Sequence, residues 1–135
     1  MGTSSISRLA PSQAVTLSSD ILQVNKRMFQ PIKAYISIED IDPNLYLTDL
    51  TVQLAPAVVF EKMHVDRRFF VTKLDFLVTE HQGQWVIEVS SFELVKEPYL
   101  RFIVELSTPS KQLYREYTLL FDSPLTTVSS LSPKP

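Results

Sequence analysis

Cysteine is absent from this 135-residue sequence. Disulfides, thiolate nucleophiles and thiolate metal shells are therefore excluded. The compartment stays open, because a domain with an adequate core needs no disulfide even in an oxidising space. Glycine is almost as scarce, Gly2 and Gly83 being the only two. Phosphate-cradling loops, nucleophile elbows and dinucleotide fingerprints all require closely spaced glycines, so none of them is present. No apolar run reaches the roughly 18 residues needed to span a bilayer. The segment before Val15 is Ser-rich and lacks the apolar stretch of a signal peptide; if the domain is exported, its signal lies outside this sequence. A dominant charge is missing too, with 13 Lys+Arg against 15 Asp+Glu and a net charge of −2. That balance offers no long-range attraction for nucleic acid or anionic lipid.

What remains is a globular composition, 44% hydrophobic and 21% charged. A single domain of this size removes about two-thirds of its unfolded surface from water, enough for a core without staples. The chain divides into a flexible segment over 1–15, a β-domain over 16–122 and a Ser/Thr/Pro linker tail over 123–135.

Within the domain, apolar residues recur at every second position. Ile32, Ala34, Ile36 and Ile38 alternate with Lys33, Ser37 and Glu39, which predicts a strand with one buried and one wet face. An earlier strand is expected over 15–24, with the polar turn Asn25, Lys26 and Arg27 before Pro31. Leu74, Phe76 and Val78 mark a strand over 69–79, and Gly83 supplies the positive φ of a hairpin turn. Trp85, Ile87 and Val89 return. Leu100, Phe102, Val104 and Leu106 follow the break at Glu97 and Pro98. After a second turn at 108–111, Leu113, Tyr117, Leu119 and Phe121 close the pattern. Two short helices are expected between strands. One spans 43–48 with Asp42 as N-cap, the other 56–64 with Ala55 in the weak cap position and Val59, Phe60 and Met63 on one face. Leu50, Val52 and Leu54 form a brief strand between them. The fold class is mainly β: an antiparallel β-sandwich, Ig-like or chaperone-like, with one or two short helices inserted between strands.

A search for chemistry assigns no catalytic, cofactor-binding or metal-ligating residue. His64 and His81 match no zinc spacing and read as a helix-end and a turn histidine. Glu39, Asp40 and Asp42 offer oxygen ligands for a hard cation, or simply acids placed at a helix N-terminus. The Ca²⁺-loop pattern is missing, which favours the second reading. Asp66, Arg67 and Arg68 beside Phe69 and Phe70 are either a basic-aromatic contact point or a loop leading into a buried strand, and the latter is preferred. Tyr35, Tyr46, Tyr99 and Tyr114 are stacking platforms or packing elements, and on strands packing is commoner. Arg115 is placed to pair across its hairpin with Glu105 or a neighbour.

Four segments together carry a resemblance: 30–38 (QPIKAYISI), 69–76 (FFVTKLDF), 90–105 (SSFELVKEPYLRFIVE) and 113–124 (LYREYTLLFDSP). Their content and order are similar to the periplasmic N-terminal domain of the FimV/HubP/TspA family of pilus-assembly and cell-pole scaffold proteins. Two places depart from the family pattern. Leu17, Ser18, Ser19, Asp20 and Ile21 stand where a glycine-containing segment is usual, and Ala55, Pro56 and Ala57 replace Ser-Pro-Glu. The resemblance implies a non-catalytic periplasmic interaction domain of an inner-membrane scaffold. Such scaffolds support type IV pilus or type II secretion (secretin) assembly, twitching motility and polar localisation. It further implies envelope-protein partners such as a pilus secretin or alignment-complex component, and a peptidoglycan-binding LysM module elsewhere in the parent protein. No nucleic acid, cofactor or small-molecule substrate is implied, and no residue is tied to a partner. The alternative is a small carbohydrate (peptidoglycan)-binding β-sandwich using exposed tyrosines or Trp85. Because Trp85 lies on an apolar strand face, it is expected to be buried.

Overall fold

Alternation of apolar and polar residues builds seven strands: β1 Thr16–Gln23, β2 Pro31–Glu39, β3 Thr51–Leu54, β4 Asp75–His81, β5 Gln84–Leu94, β6 Tyr99–Ser107 and β7 Gln112–Leu120. One α-helix, α1 Ala57–Lys62, follows β3, and 3-10 turns cover Leu47–Asp49 and Phe69–Lys73. The computed structural model describes residues 14–123. The terminal segments expected over 1–15 and 123–135 therefore lie outside the described residues, except for Ala14, Val15 and Ser123. Val15 is already buried, and the Ala14 carbonyl accepts the Asp42 N–H at 2.9 Å, so chain order begins ahead of β1.

The strands form two antiparallel sheets, ordered β1-β2-β5-β4 and β3-β6-β7. Each presents an apolar row to the other, the aligned solution for two one-sided sheets. Ile32, Ala34, Ile36, Ile38, Ile87 and Val89 on the first sheet meet Leu100, Phe102, Val104, Leu106 and Leu119 on the second in one buried cluster. Phe102 sits at its centre, with the rings of Phe76 and Tyr117 at 6.1 and 6.0 Å. At the sheet edges β1 runs beside β7 and β3 beside β4. β6 is buried on both faces: α1 packs against it, and its outward-facing Ile103 and Glu105 are also covered. The Glu105 carboxylate, only 4% exposed, accepts the Gln53 amide at 2.7 Å.

The β4–β5 hairpin closes on Gln82 and Gly83, with φ of +54° and +79°. Two consecutive positive φ values define the type I′ turn whose twist matches a two-residue hairpin. Elsewhere the segments between strands depart from expectation. No α-helix forms over 43–48, where only the 3-10 turn Leu47–Asp49 overlaps the expected range. The Asp42 carboxylate and carbonyl instead accept the Asn44 and Leu45 N–H groups at 2.8 and 3.0 Å, closing a turn. Tyr46 is then extended, with its N–H held by the Asp49 carboxylate at 2.9 Å, so the helix cannot propagate past it. The second helix is shorter than 56–64, and its N-cap is Pro56, since the Ala55 N–H still belongs to the sheet through the Ile103 carbonyl at 2.9 Å. The helix ends in a Schellman motif: Val65 N–H reaches the Phe60 carbonyl, His64 N–H reaches the Glu61 carbonyl, and His64 takes φ +60°. Phe60 is buried as expected, but Met63 is exposed.

The strand expected over 69–79 starts only at Asp75. Ahead of it Phe69–Lys73 is a 3-10 turn, tightened by the Thr72 hydroxyl donating to the Phe69 carbonyl at 2.6 Å. Its threefold period buries Val71 and turns Phe69 outward, where a strand would have hidden one of the paired phenylalanines.

Candidate interaction surfaces

Several of the residues singled out by their chemistry have local structural roles, while Tyr46 lies exposed. His64 terminates α1, and the His81 ring stacks on Tyr35 at 4.5 Å. Among the acids, the Asp40 carboxylate accepts the Thr16 hydroxyl at 3.1 Å and Asp42 closes its turn. Among the described residues no group of three or more His, Asp or Glu is placed to hold a metal ion. Trp85 is half-buried against the core rather than fully enclosed. The pairing of Arg115 with Glu105 or a neighbouring carboxylate does not occur among the described residues. The register sets Arg115 opposite Val104 and Glu105 opposite Tyr114, so the two side chains leave on opposite faces of the sheet. Arg101 takes Glu116 instead, donating from Nη2 at 2.6 Å and from Nε at 2.9 Å.

The basic-aromatic segment 66–70 is where the sequence reading needs correction most. Arg67 donates to the Ala55 carbonyl at 3.3 Å and lies over the Phe60 ring. Arg68 pairs with Glu97 and covers the Tyr99 ring, with 5.9 Å to its centroid. Phe69 does not enter a buried strand: it is 72% exposed, with Lys73 Nζ 5.0 Å from its ring centroid. Arg68, Phe69, Phe70, Leu94, Lys96 and Leu100 frame an open cleft of about 270 Å³.

The opposite wall of that cleft is the end of β5. Its pairing with β4 stops at Ser90, so the last residues of β5 run past β4 while staying tied to β2, where Leu94 lies opposite Pro31. The Ser91 hydroxyl fixes this end, accepting the Ile32 N–H at 2.9 Å and donating to the Glu93 carbonyl at 2.7 Å. Phe92, 91% exposed, and the half-exposed Leu94 project from it. Sequence reasoning missed Phe92. The only available signal was its place in the alternation, where Phe92 and Leu94 fall on the row opposite Ile87 and Val89. A second opening, a groove of about 590 Å³, lies between the start of β1 and the start of β7, lined by Val15, Leu17, Lys111, Leu113, Tyr114 and Arg115.

Two facing antiparallel sheets define a β-sandwich, with apolar side chains left at its surface. The chain belongs to the family of the FimV N-terminal domain, an Ig-like domain whose sequence model matches residues 20–124. Among curated relatives, the motility hub protein FimV from two strains of Pseudomonas aeruginosa is 39% identical over 97 residues, 71% of this chain. The chain matches 10% of the length of those relatives. No solved structure matches it significantly. The departure at 17–21 now has a location: it is a bulge in β1, where the register with β2 shifts between Leu17 and Ile21.

Proposed function

We propose that this domain is a non-catalytic protein-interaction module of a scaffold that organises pilus-related assemblies. It operates in the periplasm as part of an inner-membrane protein, and its partners are envelope proteins such as a pilus secretin or an alignment-complex component. Family membership and the relatives' description as motility hub proteins support the setting. The observation that carries the contact role is the exposure of Phe69 on the cleft and of Phe92 on the end of β5 that lends Glu93 and Leu94 to the cleft. Large aromatic side chains left in water mark a surface that gains by being covered. Their ring of ions, Arg68 with Glu97 and the nearby Lys73 and Lys96, gives the polar rim that such contacts carry.

The direct experiment is binding of this domain to purified periplasmic domains of the pilus secretin and alignment proteins. Retention of one of them, lost in a Phe69→Ser/Phe92→Ser double variant that remains folded, is the expected result. Failure to bind any of them, combined with co-sedimentation of the isolated domain with peptidoglycan sacculi, overturns the reading in favour of carbohydrate recognition.

A further inference from the structure

The groove between β1 and β7 has a different character from the aromatic cleft. Its floor is strand edge. The Leu120 N–H donates to the Gln23 side-chain oxygen at 3.3 Å and the Leu120 carbonyl accepts the Gln23 amide at 3.0 Å, so the Leu120 backbone faces away from β6. β7 keeps an unbroken register with β6 from Leu120 to Gln112. By the period of two, the N–H and C=O groups of Gln112, Tyr114, Glu116 and Thr118 also point away from β6. At the far end of the strand pair the Gln23 side chain and the Tyr117–Ser18 hydrogen bond occupy the space between β1 and β7. At the near end nothing among the described residues pairs with the outward groups of Gln112 and Tyr114, and the groove opens there.

The charge in this groove is of one sign. Lys111 and Arg115 line it, and neither forms an ion pair among the described residues. Glu116 lies on the other face of β7 and is engaged by Arg101. Glu39 and Asp40 flank Thr16 across β1 without bridging to either cation. Residues 1–13 and 124–135 contain no Asp or Glu. Arg115 also occupies an inward-facing position in the row Leu113, Tyr117 and Leu119. An inward-pointing charge on an edge strand opposes edge-to-edge pairing with a second copy, which would bring like charges together. The same charge attracts an acidic strand. The groove between β3 and β4, by contrast, is lined by Leu47, Leu50, Val52, Phe76 and Val78 among others and carries no charged residue.

We infer that the β1–β7 groove receives an extended, acidic segment of a partner protein, which adds to the Gln112–Glu116 edge of β7 by main-chain pairing. Lys111 and Arg115 lie four residues apart in the same row, about 13 Å along a strand. They therefore select carboxylates at positions i and i+4 on one face of the incoming strand. This inference rests on the reading of the domain as a protein-interaction module and specifies a second contact surface and its preferred ligand chemistry.

The test uses the 135-residue chain and three peptides: TEVTVEVT, its glutamine counterpart TQVTVQVT and its lysine counterpart TKVTVKVT. Amide hydrogen exchange and fluorescence titration are the readouts. TEVTVEVT is expected to bind most tightly, to protect the Gln112, Tyr114 and Glu116 amides, and to weaken as salt is raised. A Lys111→Gln/Arg115→Gln variant is expected to lose about tenfold in affinity for it. Tyr114→Pro, tolerated at an edge position because its lost N–H points outward, is expected to abolish binding while the fold persists. Equal affinity for the three peptides, protection on another strand, or no binding of TEVTVEVT each overturns the inference. If Tyr114→Pro still captures a secretin or alignment protein at full strength, the interaction role stands and the edge assignment falls.

Discussion

Tyr117 joins the two sheets through one atom. Its hydroxyl donates to the Ser18 carbonyl at 2.6 Å, inside the β1 bulge, while its ring packs beside Phe102. Removing the hydroxyl leaves that carbonyl poorly satisfied, so Tyr117→Phe is expected to cost about 1–2 kcal/mol in urea unfolding. Burial raises the phenol pKa, Arg115 opposes the rise and Glu39 adds to it. A raised pKa means that the native state holds the proton more tightly than the unfolded chain does. The contribution is therefore complete below the unfolded tyrosine pKa of about 10 and declines as pH rises past it. The stability difference between the native sequence and Tyr117→Phe should accordingly shrink in unfolding curves recorded above that pH. A constant difference across the range would show that the hydroxyl is not buried in this bond. Residue chemistry alone could not locate this contact, because Ser18 and Tyr117 are 99 positions apart.

At the scale of elements, left-handed backbone recurs in the connections, at Phe29, Asp40, His64, Gln82 and Gly83. His64 ends α1 at φ +60°, a position that glycine occupies without steric cost. His64→Gly is expected to raise the thermal midpoint, and the β-branched His64→Val to lower stability by about 1–2 kcal/mol. If the two variants unfold alike, the helix does not end there. Gly83 is the counterpart in the β4–β5 turn. A Cβ at Gly83 would meet no atom within 4 Å, so the cost of Gly83→Ala is conformational only. It should amount to about 1 kcal/mol by denaturant titration, with the native sheet retained in circular dichroism. The hairpin was legible in advance because a lone glycine amid polar residues between two alternating strands has few other uses. The helix terminus was not, since histidine carries no such signal.

For the whole molecule, stability and contact reside in different phenylalanines. Phe102 has no exposed surface and sits between Phe76 and Tyr117. Phe102→Ala is expected to cost about 3–5 kcal/mol, visible as a large drop in denaturation midpoint or as a failure to fold. Phe69→Ser, exposed on the cleft wall, and Phe92→Ser, exposed on the end of β5, should each stay within about 0.5 kcal/mol of the parent. If they destabilise as Phe102→Ala does, the cleft is part of the core and the contact role loses its support. Sequence pattern separates these residues only in part. Phe102 falls in a strict alternating row, whereas Phe69 adjoins Phe70 and was read as the start of a buried strand.

The amino-acid sequence alone determined the rows of the sandwich. Side chains alternate across a strand, so the apolar residues of β2, β5, β6 and β7 could meet only by stacking one sheet on another. It also determined the family, through four short segments in the right order. Tertiary structure decided the rest. Whether the helical turns propagated depended on the Asp42 and Asp49 hydrogen bonds, and which phenylalanine faced water depended on a 3-10 period in place of a strand period. The open edge of β7 emerged only when both sheets had closed, because a free backbone group is defined by which distant strand fails to reach it.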